Sequence, residues 1–216
     1  MNMCVKSLFT IAALAAMLLS APVVATVAAQ EEIRLLVLGD SLAAGLGLAP
    51  QQAFPARLQA ALTERGHAVR VINAGVSGDT TAGGLARLEW VLAEKPQAAI
   101  VELGANDGLR ALDVQAMRSN LAAILDRLED KGVKILLAGM KAPPNYGAAY
   151  VRDYDTAFAD LATDHDVIFY PFFLDGVATL EDLNQADRIH PNAKGVEVIV
   201  RNMLPSVERL LQRVRG

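Results

Sequence analysis

The chain has 216 residues, 53% of them hydrophobic, and a formal net charge of −4 at pH 7. That length and composition suit one domain with a full core. Mild acidity without basic clusters argues against nucleic acid or an anionic membrane surface as a main partner, and a single cysteine, Cys4, excludes a disulfide framework.

Residues 1–29 read as a secretory signal peptide. Lys6 supplies the positive start, Leu8–Leu19 the apolar stretch, and Ala21, Ala25, Ala28 and Ala29 the small residues of a cleavage region, with cleavage expected after Ala29 or Ala25. The apolar stretch falls short of the ~20 residues that span a bilayer, so no stable membrane anchor is expected. Cys4 stands near the start rather than at the cleavage site, which argues against lipid attachment. The expected organisation is 1–29 signal and 30–216 one domain, exported to the periplasm or secreted. Without the signal the chain has no cysteine and, because Lys6 is the only charged residue before Glu31, is one charge more negative.

The first strand is predicted at Arg34–Leu38, and Gly39-Asp40-Ser41-Leu42 follows it directly. A serine there stands at the C-terminal tip of a buried strand, where an open α/β sheet keeps its ligand site. A helix over Ala53–Arg65 leads to a strand at Val69–Asn73 and a loop holding Ser77-Gly78-Asp79-Thr80. A helix over Ala82–Ala93 leads to a strand at Ala98–Leu103 and to Gly104-Ala105-Asn106-Asp107-Gly108. The helix predicted at Val114–Asp130 has the clearest apolar stripe (Val114, Met117, Leu121, Ile124, Leu125, Leu128), with Asp113 placed to cap it and Gly132 just past its end. A strand at Lys134–Ala138 opens the loop Gly139–Gly147. A helix at Ala148–Thr163 and a strand at Val167–Tyr170 follow, and a last helix runs from about Ala193 to Arg213, kinked or restarted at Pro205. Asp187-Arg188-Ile189-His190-Pro191 precedes that last helix.

Strand–helix alternation through five strands predicts a parallel sheet with helices on both faces, so the loops after the strands open on one rim. Serine, histidine and aspartate are the parts of a nucleophilic hydrolase, and Asp187 and His190 at i and i+3 fit one turn. Acyl transfer also needs fixed donors for the oxyanion; the Ser41 N–H, the Gly78 N–H and the Asn106 amide make a set of three. The rim loops offer Leu109, Leu112, Pro143, Pro144 and Tyr146 as an acyl wall, and no basic phosphate cradle is announced for a leaving group. Taken without the other motifs, Ser41 reads better as a helix-capping serine than as a nucleophile. Asp40 reads as a turn carboxylate rather than the triad acid, and His67 and His165 as surface histidines. No His-Glu-x-x-His motif or other metal site is seen, and Gly45-Leu46-Gly47 has Pro50 where a dinucleotide loop needs its third glycine.

Gly39-Asp40-Ser41-Leu42, Gly78 in Ser77-Gly78-Asp79-Thr80, Gly104-Ala105-Asn106-Asp107 and Asp187-x-x-His190 resemble the four blocks of the SGNH, or GDSL, hydrolase family, in the same order. The resemblance covers about Ile33 to Pro205. Val101–Arg110 and Pro144–Gly147 are similar to the thioesterase/lysophospholipase and arylesterase subgroup. The resemblance implies a three-layer α/β/α fold on a flavodoxin-like five-stranded parallel sheet. It also implies Ser41 as nucleophile, Gly78 and Asn106 joining Ser41 in the oxyanion hole, and His190 and Asp187 completing the triad. The implied activity is hydrolysis of a small-molecule carboxylic ester or thioester through an acyl-serine, with no cofactor and no metal; the sequence does not fix the oligomeric state, and a monomer is the expectation. The rivals are an acyltransferase or carbohydrate deacetylase on the same machinery and, in another class, a non-catalytic acyl- or nucleotide-binding module.

Overall fold

A computed structural model describes Met1 and residues 31–216, so the expected signal segment lies, Met1 apart, outside the described residues. The first strand, β1 (Ile33–Gly39), carries Leu35, Leu36, Val37 and Leu38 with no exposed surface. An unbroken apolar run is what a strand covered on both faces requires. It pairs in parallel with β2 (Val69–Gly75) on one side and β3 (Ala98–Glu102) on the other, followed outward by β4 (Lys134–Ala138) and β5 (Ile168–Tyr170). The order β2-β1-β3-β4-β5 is the flavodoxin-like one. The chain reverses its direction of winding between β1 and β3, and a crevice opens beyond their C-terminal ends. In register, Gly39 faces both Gly75 and Glu102, so three strands end at one level and release their loops together.

Helices cover both sides of the sheet. The helix α1 (Ser41–Ala44) is a single turn; α2 (Phe54–Glu64) packs on β2 and on the last helix. The predicted helix at 82–93 is two pieces, α3 (Thr81–Ala86) and α4 (Leu88–Leu92), parted at Arg87. A Cβ on Gly84 would run into the Leu103 side chain, so α3 lies close against the sheet end, and Arg87 leaves the helical path to donate to Gly39 O at 2.9 Å. A short α5 (Ala105–Leu109) precedes α6 (Val114–Asp130), which Asp113 caps by accepting from Ala116 N at 2.7 Å. Helix α6 packs between α3 and α7 (Ala148–Asp164).

The last helix, α8 (Ala193–Arg215), passes through Pro205 instead of restarting there. Pro205 is on the exposed side, where the carbonyl that loses its partner meets water. The opposite stripe, including Val196, Ile199, Val200, Met203, Val207, Leu210 and Leu211, is buried. Burying a side chain of this kind contributes roughly 1.5–3 kcal/mol, enough in sum to outweigh one lost bond.

Candidate active site

Asp40 follows β1 and caps α1, its Oδ1 accepting from Leu42 N at 3.0 Å. Ser41, the first residue of α1, is only 8% exposed, and its Oγ lies 2.9 Å from His190 Nε2. On the far side of the ring, His190 Nδ1 is 2.6 Å from Asp187 Oδ2. The Ile189 and His190 N–H groups donate to the other oxygen, Asp187 Oδ1, at 2.9 and 3.0 Å. These bonds, with the His190 backbone N–H foremost, pull the Asp187 carboxyl down to about 2. An ionised carboxylate only accepts, so Nδ1 carries the hydrogen and Nε2 presents a lone pair to the serine hydroxyl. That is the tautomer a base needs.

The turn that carries His190 is closed on itself. Gln185 N donates to His190 O at 2.8 Å, Arg188 N to Gln185 O at 2.9 Å, and Asn184 bridges Pro191. Asn192 then caps α8 by accepting from Lys194 and Gly195 N–H at 3.0 and 3.1 Å.

Asn106, on α5, donates from Nδ2 to Asp40 Oδ2 at 3.0 Å, leaving the second hydrogen of the amide unassigned. Arg110 Nη2 donates to Gly78 O at 2.9 Å and to Asn106 Oδ1 at 3.4 Å, tying the loop after β2 to the loop after β3. Asp107, also on α5, is buried and accepts from Thr81 N and Oγ1 at 2.9 and 2.7 Å, which fixes α5 to α3. Burial raises the Asp40 carboxyl to about 6, against the pull of the Leu42 N–H and the Asn106 amide.

Ser41, Asn106 and His190 line one cavity of about 430 Å³, and Leu109, Met140, Pro143, Phe172, Leu174 and Ile189 give it an apolar wall. Asp187 stands behind His190, and Gly78 is linked to the site through Arg110 rather than lining the cavity. Of the expected acyl-wall residues, Leu109 and Pro143 line the cavity while Leu112, Pro144 and Tyr146 do not. Tyr146 and Tyr150 instead brace the loop from behind, donating from their hydroxyls to Leu109 O at 2.8 Å and Leu112 O at 3.0 Å. Sequence reading missed Met140, Phe172, Leu174 and Ile189; the loop after the fifth strand carries two of them and follows the same strand-end rule as the others. Lys141 and Arg188 also border the cavity, so its edge holds two positive charges that the sequence did not announce. His67 pairs with Glu208 at 3.1 Å, away from the cavity. His165 meets Glu129 at 3.1 Å and Asp126 at 3.8 Å in a surface cluster away from the cavity.

The model of the GDSL-like Lipase/Acylhydrolase family matches residues 37–198. The chain is 42% identical over 178 residues to the Esterase TesA of Pseudomonas aeruginosa, an alignment covering 82% of this chain and 89% of that protein. It is 36% identical over 178 residues to the Thioesterase 1/protease 1/lysophospholipase L1 of Escherichia coli K12, covering 82% and 84%. Among solved structures, that of AlinE4, an SGNH-hydrolase family esterase, is similar at a TM-score of 0.71 and 47% identity, covering 85% of this chain and 98% of that one.

Proposed function

The chain belongs to the GDSL-like lipase/acylhydrolase family, and we propose that Ser41 is the nucleophile of its ester and thioester hydrolysis. His190 takes the Ser41 proton as Oγ attacks the acyl carbonyl. Asp187 holds the imidazole in its Nδ1–H tautomer and stabilises its positive form. The oxyanion lies among the Ser41 N–H, the Gly78 N–H and the second hydrogen of the Asn106 amide. His190 then gives its proton to the leaving alcohol or thiol, and water, activated by the same base, releases the acid from the acyl-serine.

The observation that carries this reading is the unbroken chain of contacts from Ser41 Oγ to His190 at 2.9 Å and from His190 to Asp187 at 2.6 Å. The apolar wall of Leu109, Met140, Pro143 and Phe172 supports an acyl chain as the part of the substrate that is buried. Export belongs to the same proposal and rests on the pattern of residues 1–29; among the described residues no helix is long and apolar enough to cross a membrane.

The test is turnover of a chromogenic short-chain ester before and after a serine-directed organophosphonate, with the modified peptide read by mass spectrometry. Stoichiometric loss of turnover with the label on Ser41, and a Ser41→Ala variant at background rate, is the expected result. A label elsewhere, or turnover in Ser41→Ala, overturns the assignment.

A further inference from the structure

Glu102 ends β3 and has no exposed surface. Charged side chains are almost never buried so fully unless they are paired. Among the described residues no basic group forms an ion pair with it. Its Oε2 accepts the Asp40 N–H at 3.2 Å, and the Ala43 N–H faces the same carboxyl. Its Oε1 is buried without a hydrogen-bond partner. A Cβ on Gly39 would collide with Oε2, so glycine at that position is what lets the carboxyl reach the turn. The side chain is thereby wedged beneath Asp40 and Ala43, the residues on either side of the Ser41 turn.

We infer that Glu102 is a positioning residue for Ser41, a neutral carboxyl that accepts from the nucleophile turn at Oε2 and keeps its proton on Oε1. The inference rests on the reading of Ser41 as nucleophile. The asymmetry of the two oxygens is the argument. A carboxylate shares its charge between both oxygens and seeks donors at both, whereas here the donor side is confined to one. A bare buried hydroxyl is far less costly than a bare buried charge. The ionisable group that faces Glu102 is Asp40, whose negative charge opposes a second one. Arg87, the cation at the end of β1, is engaged by Gly39 O and Asp79. Burial first, and Asp40 second, hold the Glu102 carboxyl well above the ordinary range. With Glu102 neutral, Asp40 is the one carboxylate under the serine and is left to hold the Leu42 N–H and the Asn106 amide.

Glu102→Gln and Glu102→Leu test this with the ester assay and the rate of phosphonate inactivation. Glutamine reproduces a carbonyl acceptor beside a neutral group, and should keep kcat and the inactivation rate within about threefold of the parent at unchanged KM. Leucine leaves the turn's N–H unpaired; kcat and the inactivation rate should fall together by about 10- to 100-fold with KM nearly constant. Should Glu102→Leu fail to fold, the infrared difference spectrum of parent minus Glu102→Gln decides, and should show a protonated-carboxyl C=O band at about pH 8, far above an ordinary glutamate. A loss of tenfold or more in Glu102→Gln, the absence of that band, or a folded Glu102→Leu at the parental rate overturns the inference. An active Ser41→Ala, by contrast, overturns the nucleophile assignment itself, so the two failures are distinct.

Discussion

Ser41 is held by residues far away in the chain, whereas His190 is held by its neighbours. The Ser41 turn rests on Glu102 and Asn106, and the end of β1 beneath it is tied to Val76 and Arg87 through Gly39 O. It exists only once β1, β2 and β3 have paired. The His190 turn takes its bonds from Asp187, Gln185 and Asn184, and Asp187 is 43% exposed. One side of the Ser41–His190 pair is therefore set by topology and the other by a closed polar turn. Damage beneath the serine should spread into the sheet end, and damage at the aspartate should stay with the chemistry.

The sharpest test of that contrast is Asp187→Asn. An amide can present its N–H to Nδ1 and stabilise the wrong tautomer, so kcat should fall by on the order of 10³–10⁴. Because the site is half-exposed, the thermal midpoint should stay within a few degrees, as expected of a change below about 1 kcal/mol. A variant that loses stability in proportion to activity would break the description of this turn as local. Asn106→Ala should lower kcat by ~10²–10³ with a small change in KM, the usual consequence of losing one oxyanion donor. It also takes a donor from Asp40, so its effect should not add to that of Asp40→Asn; strict additivity would mean that the two side chains act apart.

The smallest expected effect is the pH dependence of stability in Asp40→Asn. Asp40 has its carboxyl raised from 3.8 to about 6 in the fold. Between those values the folded chain holds a proton that the unfolded chain has released, so this group's contribution falls as pH rises. Replacing it should make the variant progressively more stable relative to the parent from about pH 4 to about pH 7, by up to about 3 kcal/mol. Denaturant midpoints at the two ends of that range measure it. A difference that shrinks or stays flat would mean that Asp40 is not the buried, reluctant carboxylate of the sheet end.

The five strands and the long helices are legible in the sequence because each buries a continuous run or stripe, and Lys134–Ala138 and Val114–Asp130 need no adjustment. The helices α1 and α5 are not legible: four or five residues show no period, although the Gly-Asp-Ser and Gly-Ala-Asn motifs mark both places. The break at Arg87 depends on a side chain reaching a carbonyl on another strand, and local pattern carries no such information. Pro205 misleads because the rule against helical proline has to yield to the buried stripe of a helix twenty-three residues long. Of the cavity, the residues near the motifs are readable. Phe172 and Leu174 follow a strand of three residues, and such a short strand does not advertise a functional loop. Glu102 carries a signal in plain view, a charge inside an apolar run, whose meaning depends on what lies above it.

The cavity joins two sets of residues that share no side-chain hydrogen bond. Ser41 is bonded to His190 and Asn106 to the Asp40 carboxyl; Met140, Pro143, Phe172 and Leu174 come from the loops after β4 and β5 and offer apolar surface, with Met140 and Leu174 also packed on the core and Phe172 under the Lys141 ammonium. Hydrogen bonds hold the first set in place, and apolar contact shapes the second. A change in the wall therefore alters how much of a bound apolar group is buried, at about 0.8 kcal/mol for each methylene, without removing any hydrogen bond of the first set. A site partitioned in this way lets the apolar wall change in shape while the polar contacts keep their partners.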